Sequence, residues 1–360
     1  MIVVMETHAD KAQVDHVIKL IEGFGLSTHP IVGTDRTVVA AIGDKRNVDK
    51  SAIEQAPGVD SIVPILAPYK RASREVQRQT SEIAVAPSGF AFGGVRVGVI
   101  AGPCSVEGPR QIAEIAAGVA DAGARVLRGG VFKPRSSPYD FGGLGERGLR
   151  MMVGAGKRSG LPIITEVLDP TCLDLVAEHA DILQIGSRNM HNTSFLFALG
   201  AHPRGKPALL KRGFGATVEE LLSAAEYFLL GRLAAGHRDP GLILCERGVR
   251  TFESSTRFTL DVAAIPVLRR RTHLPVIVDP SHPAGDRGLV ASLAAAAIAA
   301  GADGLLVEVH TDPERAWCDG DQSLDLAMFR ELMVKLAALR GAAVVPATGS
   351  APPRRDVAAV

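Results

Sequence analysis

Aromatic residues are scarce in this 360-residue chain: Phe, Tyr and Trp together make up 4%, with a single tryptophan. A core must therefore come from aliphatic side chains and close helix packing, and 38 glycines supply tight turns. Cysteine is also sparse. Cys104, Cys172, Cys245 and Cys318 are too few and too dispersed for a disulfide framework, so each is either packing or chemistry. Net charge is nearly absent: 40 Lys+Arg against 39 Asp+Glu leaves +1, which argues against nucleic acid or an anionic membrane as the main partner. No apolar run approaches the length of a membrane span, and the opening MIVVMETHAD lacks the layout of a signal peptide, so a cytoplasmic chain is expected. Phosphate-loop signatures are missing, since no G-x-x-x-x-G-K-[ST] occurs and no G-x-G-x-x-G follows a strand. A hydrolase built on Ser105, His282 and Asp279 lacks its G-x-S-x-G elbow.

What is present is apolar area, 46% of residues, enough for one barrel-sized unit or two unequal domains. The first stretch reads as a small α+β unit. Ile2-Val3-Val4-Met5 is a strand. Asp10 and Gln13 have capping-box spacing, and Val14, Val17, Ile18 and Ile21 recur on one helix face. Gly23 and Gly25 end that helix. Strands are expected at 27–32 and 37–42, around a Gly33-Thr34-Asp35 turn, then a helix at 48–55 and a strand at 59–66. The order βαββαβ makes residues 1–66 a ferredoxin-like domain. Residues 67–96 read as a linker or connecting helix over 67–81, then a hairpin around Pro87-Ser88-Gly89.

From Val97 short apolar runs alternate with helical stretches. Strands are predicted at 97–101, 125–128, 162–167, 182–185, 208–211, 242–245, 275–278 and 304–309. Thr217 with Glu220 is a second capping box, and 286–300 is a helix of almost only Ala, Leu and Val. Eight strands with helical crossovers over about 240 residues have the rhythm of a (β/α)8 TIM barrel, here 97–340, with a doubly wound open sheet as competitor. Residues 341–360, rich in Ala, Pro and Arg, read as a disordered tail.

Almost every predicted strand ends in chemically useful residues, and in a barrel those ends share one face. One subset is cationic: Arg128, Lys133, Arg135, Arg188, Lys211 and Arg247. Several cations around one mouth repel each other, which an anionic ligand with more than one charged group offsets. A ring of salt bridges to Glu166, Glu246 and Glu308 is the alternative. The other subset is Cys104, His282, Glu308 and Asp319, from strands 1, 7 and 8 and the loop beyond, which are contiguous in a closed barrel. A thiolate, an imidazole and two carboxylates suit one divalent transition ion, with Mn, Fe, Co and Zn all open. His310 is a competing ligand or a supporting group. Cys172 and Cys245 read as core, and His191, His202, His237 and His273 receive no role.

Seven motifs then carry a resemblance: AGPCSVE (101–107), RGGVFKPRSSPYDF (128–141), QIGSRNMHN (184–192), LLKRG (209–213), ERGVRTFE (246–253), DPSHPAG (279–285) and EVHTDPERAWCDGDQSL (308–324). In this order they resemble the 3-deoxy-D-arabino-heptulosonate 7-phosphate (DAHP) synthases. That subgroup is shared with the 3-deoxy-D-manno-octulosonate 8-phosphate (KDO8P) synthases. The resemblance implies a TIM barrel that condenses phosphoenolpyruvate with erythrose 4-phosphate and water. It places metal ligands on Cys104, His282, Glu308 and Asp319, and phosphoenolpyruvate on Arg128, Lys133, Glu166, Arg188, Lys211 and Arg247. The aldose phosphate falls on Pro134, Arg135 and Ser136. Lys133 and Glu166 are candidates for proton transfer. Lys133-Pro134-Arg135-Ser136-Ser137 follows the K-P-R-[TS]-S of DAHP synthases rather than the K-A-N-R-S-S of KDO8P synthases, which remain the runner-up with arabinose 5-phosphate. The N-terminal unit resembles a regulatory domain, implying Phe or Tyr as feedback effector. Oligomerisation or solubility is the alternative role. A homo-oligomer, often a tetramer, is also implied.

Overall fold

The computed structural model describes residues 1–33, 36–43, 48–63, 68–135 and 137–342. Its first elements are Ile2–Met5 (β1), Lys11–Gly23 (α1), Ser27–Val32 (β2), Thr37–Ile42 (β3), Lys50–Glu54 (α2) and Val59–Val63 (β4). The sheet order β2-β3-β1-β4, antiparallel throughout, interleaves two split βαβ units in the ferredoxin-like manner. Period-two alternation decides its faces. Met1, Val3, Met5, Val39 and Ala41 pack with Val17 and Ile21 of α1, while Ile2 and Ala40 turn to the other side. The capping box starts α1: Gln13 N donates to Asp10 Oδ1 and Asp10 N to Gln13 Oε1, both at 2.9 Å. Helix α2 is shorter than the expected 48–55 because Asp49 caps it, accepting from Ser51 N and Ala52 N, and Gln55 closes it. Thr34, Asp35, the 64–66 end of the expected fourth strand and residues 343–360 of the expected tail lie outside the described residues.

Between 68 and 82 no helix forms, against the connecting-helix alternative. The segment lacks a helical apolar face, and the barrel takes up its polar groups instead. Arg71 N and Ala72 N donate to the Glu226 carboxylate at 2.9 and 3.0 Å. Arg74 N donates to Arg271 O and Ser81 N to His273 O, both at 2.8 Å. The ring of His273, which had no assigned role, is held between Ser81 Oγ and Arg71 O at 2.7 Å each. Val76 of this connector packs on Ile2 and Ala40 of the sheet.

Ile83–Val85 (β5) and Phe90–Phe92 (β6) pair antiparallel as the expected hairpin. Eight parallel strands then close a barrel: Gly98–Gly102 (β7), Val126–Arg128 (β8), Ile163–Glu166 (β9), Ile182–Ile185 (β10), Ala208–Lys211 (β11), Leu242–Glu246 (β12), Val276–Val278 (β13) and Gly304–Glu308 (β14). Strand β14 pairs back onto β7, which rules out the open sheet. Around the barrel run Pro109–Asp121 (α3), Gly145–Ser159 (α4), Pro170–His179 (α5), Thr193–Gly200 (α6), Val218–Ala234 (α7), Ala264–Arg271 (α8), the short Ser281–Ala284 (α9), Arg287–Ala299 (α10) and Leu326–Ala342 (α11). Among the described residues no helix is long and apolar enough to cross a membrane.

Inward-facing Ile100, Val126, Ile164, Ile182, Leu209, Ile277 and Leu306 form one cluster with Phe90 and Phe92 of the hairpin. The hairpin plugs the strand N-terminal end. A Cβ on Gly98, the first residue of β7, would lie 2.5 Å from Phe90 Cε1 and 2.6 Å from Phe92 Cε1, so only glycine lets the rings sit there. Phe92→Ala should lower the denaturation midpoint by the equivalent of about 3–5 kcal/mol. An unchanged midpoint in a urea titration would show that the ring does not fill the barrel's end.

Candidate active site at the strand C-termini

At the opposite end each strand delivers a polar residue. Strand β7 ends at Gly102, with φ of 150° and a hypothetical Cβ 2.1 Å from Arg128 O, so only glycine turns the chain here toward Cys104. Arg128 closes β8, Glu166 closes β9 and Lys211 closes β11. Arg188 sits in a 3₁₀ turn after β10, Arg247 follows β12, and His282 lies in α9 after β13. Glu308 ends β14, and Asp319 opens the 3₁₀ turn at 320–322.

Arg128, Lys133, Arg188, Lys211 and Arg247 line one cavity together with Glu166, Pro134 and His282. Two of these cations are ion-paired in the buried wall: Arg128 Nη1 to Glu308 Oε1 and Lys211 Nζ to Asp279 Oδ2, both at 2.6 Å. Lys133 Nζ donates to Cys104 O at 3.0 Å and reaches its Sγ at 2.9 Å. Glu166 Oε2 accepts from Gln184 Nε2 at 3.1 Å. Among the described residues the salt-bridge alternative holds for Glu308, which pairs with Arg128. Glu246 turns away to Arg212 at 2.8 Å, and Glu166 is held by an amide. Arg135 stands at the edge, against Cys318 Sγ and 3.3 Å from Asp140. Ser136 lies outside the described residues.

The four expected metal ligands meet through Asp319. Donor atoms of Cys104, Cys318 and Asp319 lie within 4.8 Å of one another, and so do those of His282, Glu308 and Asp319. Cys104 Sγ is 3.1 Å from Asp319 Oδ2, and His282 Nε2 is 3.6 Å from Glu308 Oε1. Among described non-glycine residues Asp319 alone has positive φ, 51°, backbone strain of the kind that collects at functional sites. His310 pairs with Glu107 at 3.2 Å and joins neither cluster. Cys172 and Cys245 are buried in the core, as expected.

Charge states follow from the neighbours. Burial lowers the His282 imidazole below its usual range, against the opposing pull of Asp279 and Glu308. Burial works against the acids, but His282 and Lys211 hold Asp279 well below the usual carboxylate range, and His282 with Arg128 lowers Glu308. His282 and Arg257 likewise hold Asp319 down against burial. The hydrogen bond between Cys104 and Cys318 raises the first thiol and lowers the second. Two ionised carboxylates, an imidazole and an ionisable thiol are a donor set that fits a divalent transition ion.

Several contributors escape a reading of the sequence. Asp279 is buried, with Oδ2 2.7 Å from His282 Nδ1, a close contact on one side of the ring, while Nε2 faces Glu308 on the other. Gln322 Nε2 donates to Glu308 Oε2 at 2.5 Å, and its Oε1 accepts from Arg257 Nη1 at 2.8 Å. The same Arg257 nitrogen reaches Asp319 Oδ1 at 2.9 Å. Gln322 lies three residues after Asp319, a local signal. Arg257 is 62 residues from its partner and gives none. Gln322→Leu should weaken divalent-metal binding about 10–100-fold while the circular dichroism spectrum is kept. Unaltered affinity in competition with a chromophoric chelator would show that the amide does not orient Glu308.

A closed barrel with cations and a mixed thiol, imidazole and carboxylate cluster at its strand tips belongs to the class of TIM-barrel enzymes that act on anionic substrates. Comparison with known proteins narrows the class. Residues 81–341 match the DAHP synthetase I family and residues 1–67 the DAHP synthase ferredoxin-like domain. The phospho-2-dehydro-3-deoxyheptonate aldolase of Thermotoga maritima is 45% identical over 347 residues, 95% of this chain and 98% of that one. A crystal structure of that aldolase (DAHP synthase) from Thermotoga maritima superposes with a TM-score of 0.73 at 44% identity, covering 95% of this chain and 97% of its own. More distant is the 2-dehydro-3-deoxyphosphooctonate aldolase of Syntrophobacter fumaroxidans, 31% identical over 266 residues, 69% of this chain and 88% of that one. The chain belongs to the DAHP synthetase I family.

Proposed function

We propose that this chain condenses phosphoenolpyruvate with erythrose 4-phosphate and water to give DAHP and phosphate, the first step of the shikimate route to aromatic amino acids. The observation that carries this reading is one cavity. Five cations line it, and it borders the cluster of Cys104, His282, Glu308 and Asp319. Such a wall suits a small ligand with both a phosphate and a carboxylate. A divalent ion on those four side chains would supply Lewis-acid polarisation of the aldehyde oxygen.

The remaining work falls to the protein's own groups. Arg128, Arg188, Lys211 and Arg247 hold the phosphate and carboxylate, so that C3 of phosphoenolpyruvate faces the aldehyde carbon. The C2–C3 π electrons form the new carbon–carbon bond, and the aldehyde oxygen gains a proton. Lys133, whose Nζ lies against Cys104, gives it in this reading. Water adds at the electron-poor C2, with Glu166 placed to take its proton. The bond from C2 to the phosphate oxygen then breaks and phosphate leaves with the bonding pair, while the added hydroxyl closes to the ketone C=O and releases its proton to the departing phosphate. Pro134, Arg135 and Ser136 take the distal phosphate of the aldose and set its reach.

The N-terminal sheet domain is proposed as a regulatory module for Phe or Tyr, and the enzyme as a cytoplasmic homo-oligomer, a tetramer. Purified chain with a divalent metal and both substrates should release phosphate and form DAHP. Arabinose 5-phosphate should be a far poorer aldose, and equal use of both aldoses would overturn the assignment of substrate. Arg135→Ala should raise the KM for erythrose 4-phosphate about 10–100-fold, with the KM for phosphoenolpyruvate little changed. Equal effects on both would sink that site. Adding Phe or Tyr should lower the rate and alter hydrogen exchange within residues 1–63. No response to either removes the regulatory role. Light scattering reads the subunit number, and a monomer would reject the assembly.

A further inference from the structure

The buried cations that end or follow the barrel strands fall into two kinds. Arg128 and Lys211 in the mouth, and Arg212 behind it, each have a carboxylate oxygen within 2.6–2.8 Å. Arg247 is only 3% exposed, yet it has no ion pair among the described residues, and its Nη1 has no hydrogen-bond partner there. A guanidinium so placed bears the full cost of desolvation unless something else faces it. Two rings do. Its Cζ lies 4.2 Å from the ring centroid of Phe258 and 4.9 Å from that of Phe214. The rings stack on each other, 5.3 Å apart and 11° from parallel. Arg188 and Arg250 approach Phe214 as well, at 5.5 and 5.4 Å.

We propose that the stacked Phe214–Phe258 pair is a positioning element that holds Arg247 as an uncommitted cation for the anionic end of phosphoenolpyruvate. This deepens the reaction proposed above and rests on it. The physical reason lies in what an aromatic face does that a carboxylate cannot. A carboxylate would stabilise the guanidinium equally well, but it would neutralise the charge and occupy N–H donors in the guanidinium plane. A π face attracts the cation through its quadrupole from outside that plane. Nη1 is left without a hydrogen-bond partner among the described residues, and Arg247 lines a cavity together with Arg188 and Lys211. Three guanidiniums approach the Phe214 ring, whose attraction offsets part of their mutual repulsion.

Backbone contacts anchor both phenylalanine residues, and the rings stack directly on each other. Phe214 O accepts from Arg250 N at 2.6 Å. Phe258 N donates to Pro283 O at 3.1 Å, and an antiparallel bridge between Val249 and Thr259 clamps its segment to the loop that carries Arg247. Phe258 therefore connects the loop after β12 to α9, the helix of His282.

Calorimetric titration of the metal-loaded enzyme with phosphoenolpyruvate alone, beside steady-state kinetics, tests this. Phe214→Leu and Phe258→Leu should each raise the Kd and KM for phosphoenolpyruvate about tenfold. The KM for erythrose 4-phosphate should move less than twofold. Single-site replacement of either ring by mono-, di- and trifluorophenylalanine keeps its shape and drains its quadrupole. Binding should weaken stepwise with each fluorine, which also decides the matter if a leucine variant fails to fold. Affinity that is flat across the fluorinated series, or equal rises in both KM values, would reduce the pair to packing. Fluorine-sensitive binding in a protein that does not condense the substrates would keep the pair's role and overturn the reaction. Condensation with fluorine-insensitive binding would do the reverse.

Discussion

A carboxylate cut off from solvent, Asp279, organises the electrostatics of the mouth. It joins a chain of ionisable groups: Lys211 lies 2.6 Å from it on one side and His282 2.7 Å on the other, with Glu308 3.6 Å beyond the imidazole and Arg128 2.6 Å beyond Glu308. The chain links β11, β13, β14 and β8, so it crosses the barrel rather than following one strand. Ions buried alone cost several kcal/mol each; strung together with hydrogen bonds on the remaining lone pairs, they hold one another's charge states. Asp279 and Glu308 stay ionised, and Asp279 meets one imidazole nitrogen while the other faces Glu308. The same network leaves Arg247 outside, and aromatic faces substitute for an acid at that one position.

The two ends of the barrel divide labour. The N-terminal end is apolar and closed, filled by Phe90 and Phe92 against inward aliphatic residues of the strands. It also receives the connector, fastened through Arg74, Ser81 and His273 to the chain just before β13. Stability and attachment of the first domain are thus concentrated where no chemistry occurs. The C-terminal end carries polar groups that packing alone would not tolerate, in keeping with the general separation of stability and function in this fold.

How much of this was legible depended on the range of the interaction. Both capping boxes, Asp10–Gln13 and Thr217–Glu220, were readable because they close within three residues. The barrel strands were readable because strands buried on both faces appear as short apolar runs. Gln322 was within reach of a local argument, since it follows Asp319 by three residues. The connector was less so. Its hydrogen bonds go to Glu226, Arg271 and His273, some 155–202 residues away, and nothing nearby announces them. Glu246 was grouped with the mouth by its place at a strand end, yet it turns to Arg212 and Gly248 N.

By itself the sequence determined the alternation of strands and helices, the ferredoxin-like order before it, and the residue types delivered to each strand tip. These are consequences of periodicity and of side-chain chemistry, which are local. Only the closed barrel decided which tips pair, which carboxylates are spent on which cations, and that Phe214 and Phe258, 44 positions apart in the numbering, become one surface beneath Arg247. Coulombic and quadrupolar interactions depend on distance and burial in space. Those quantities come into existence when β14 meets β7 and the ring of strands is complete.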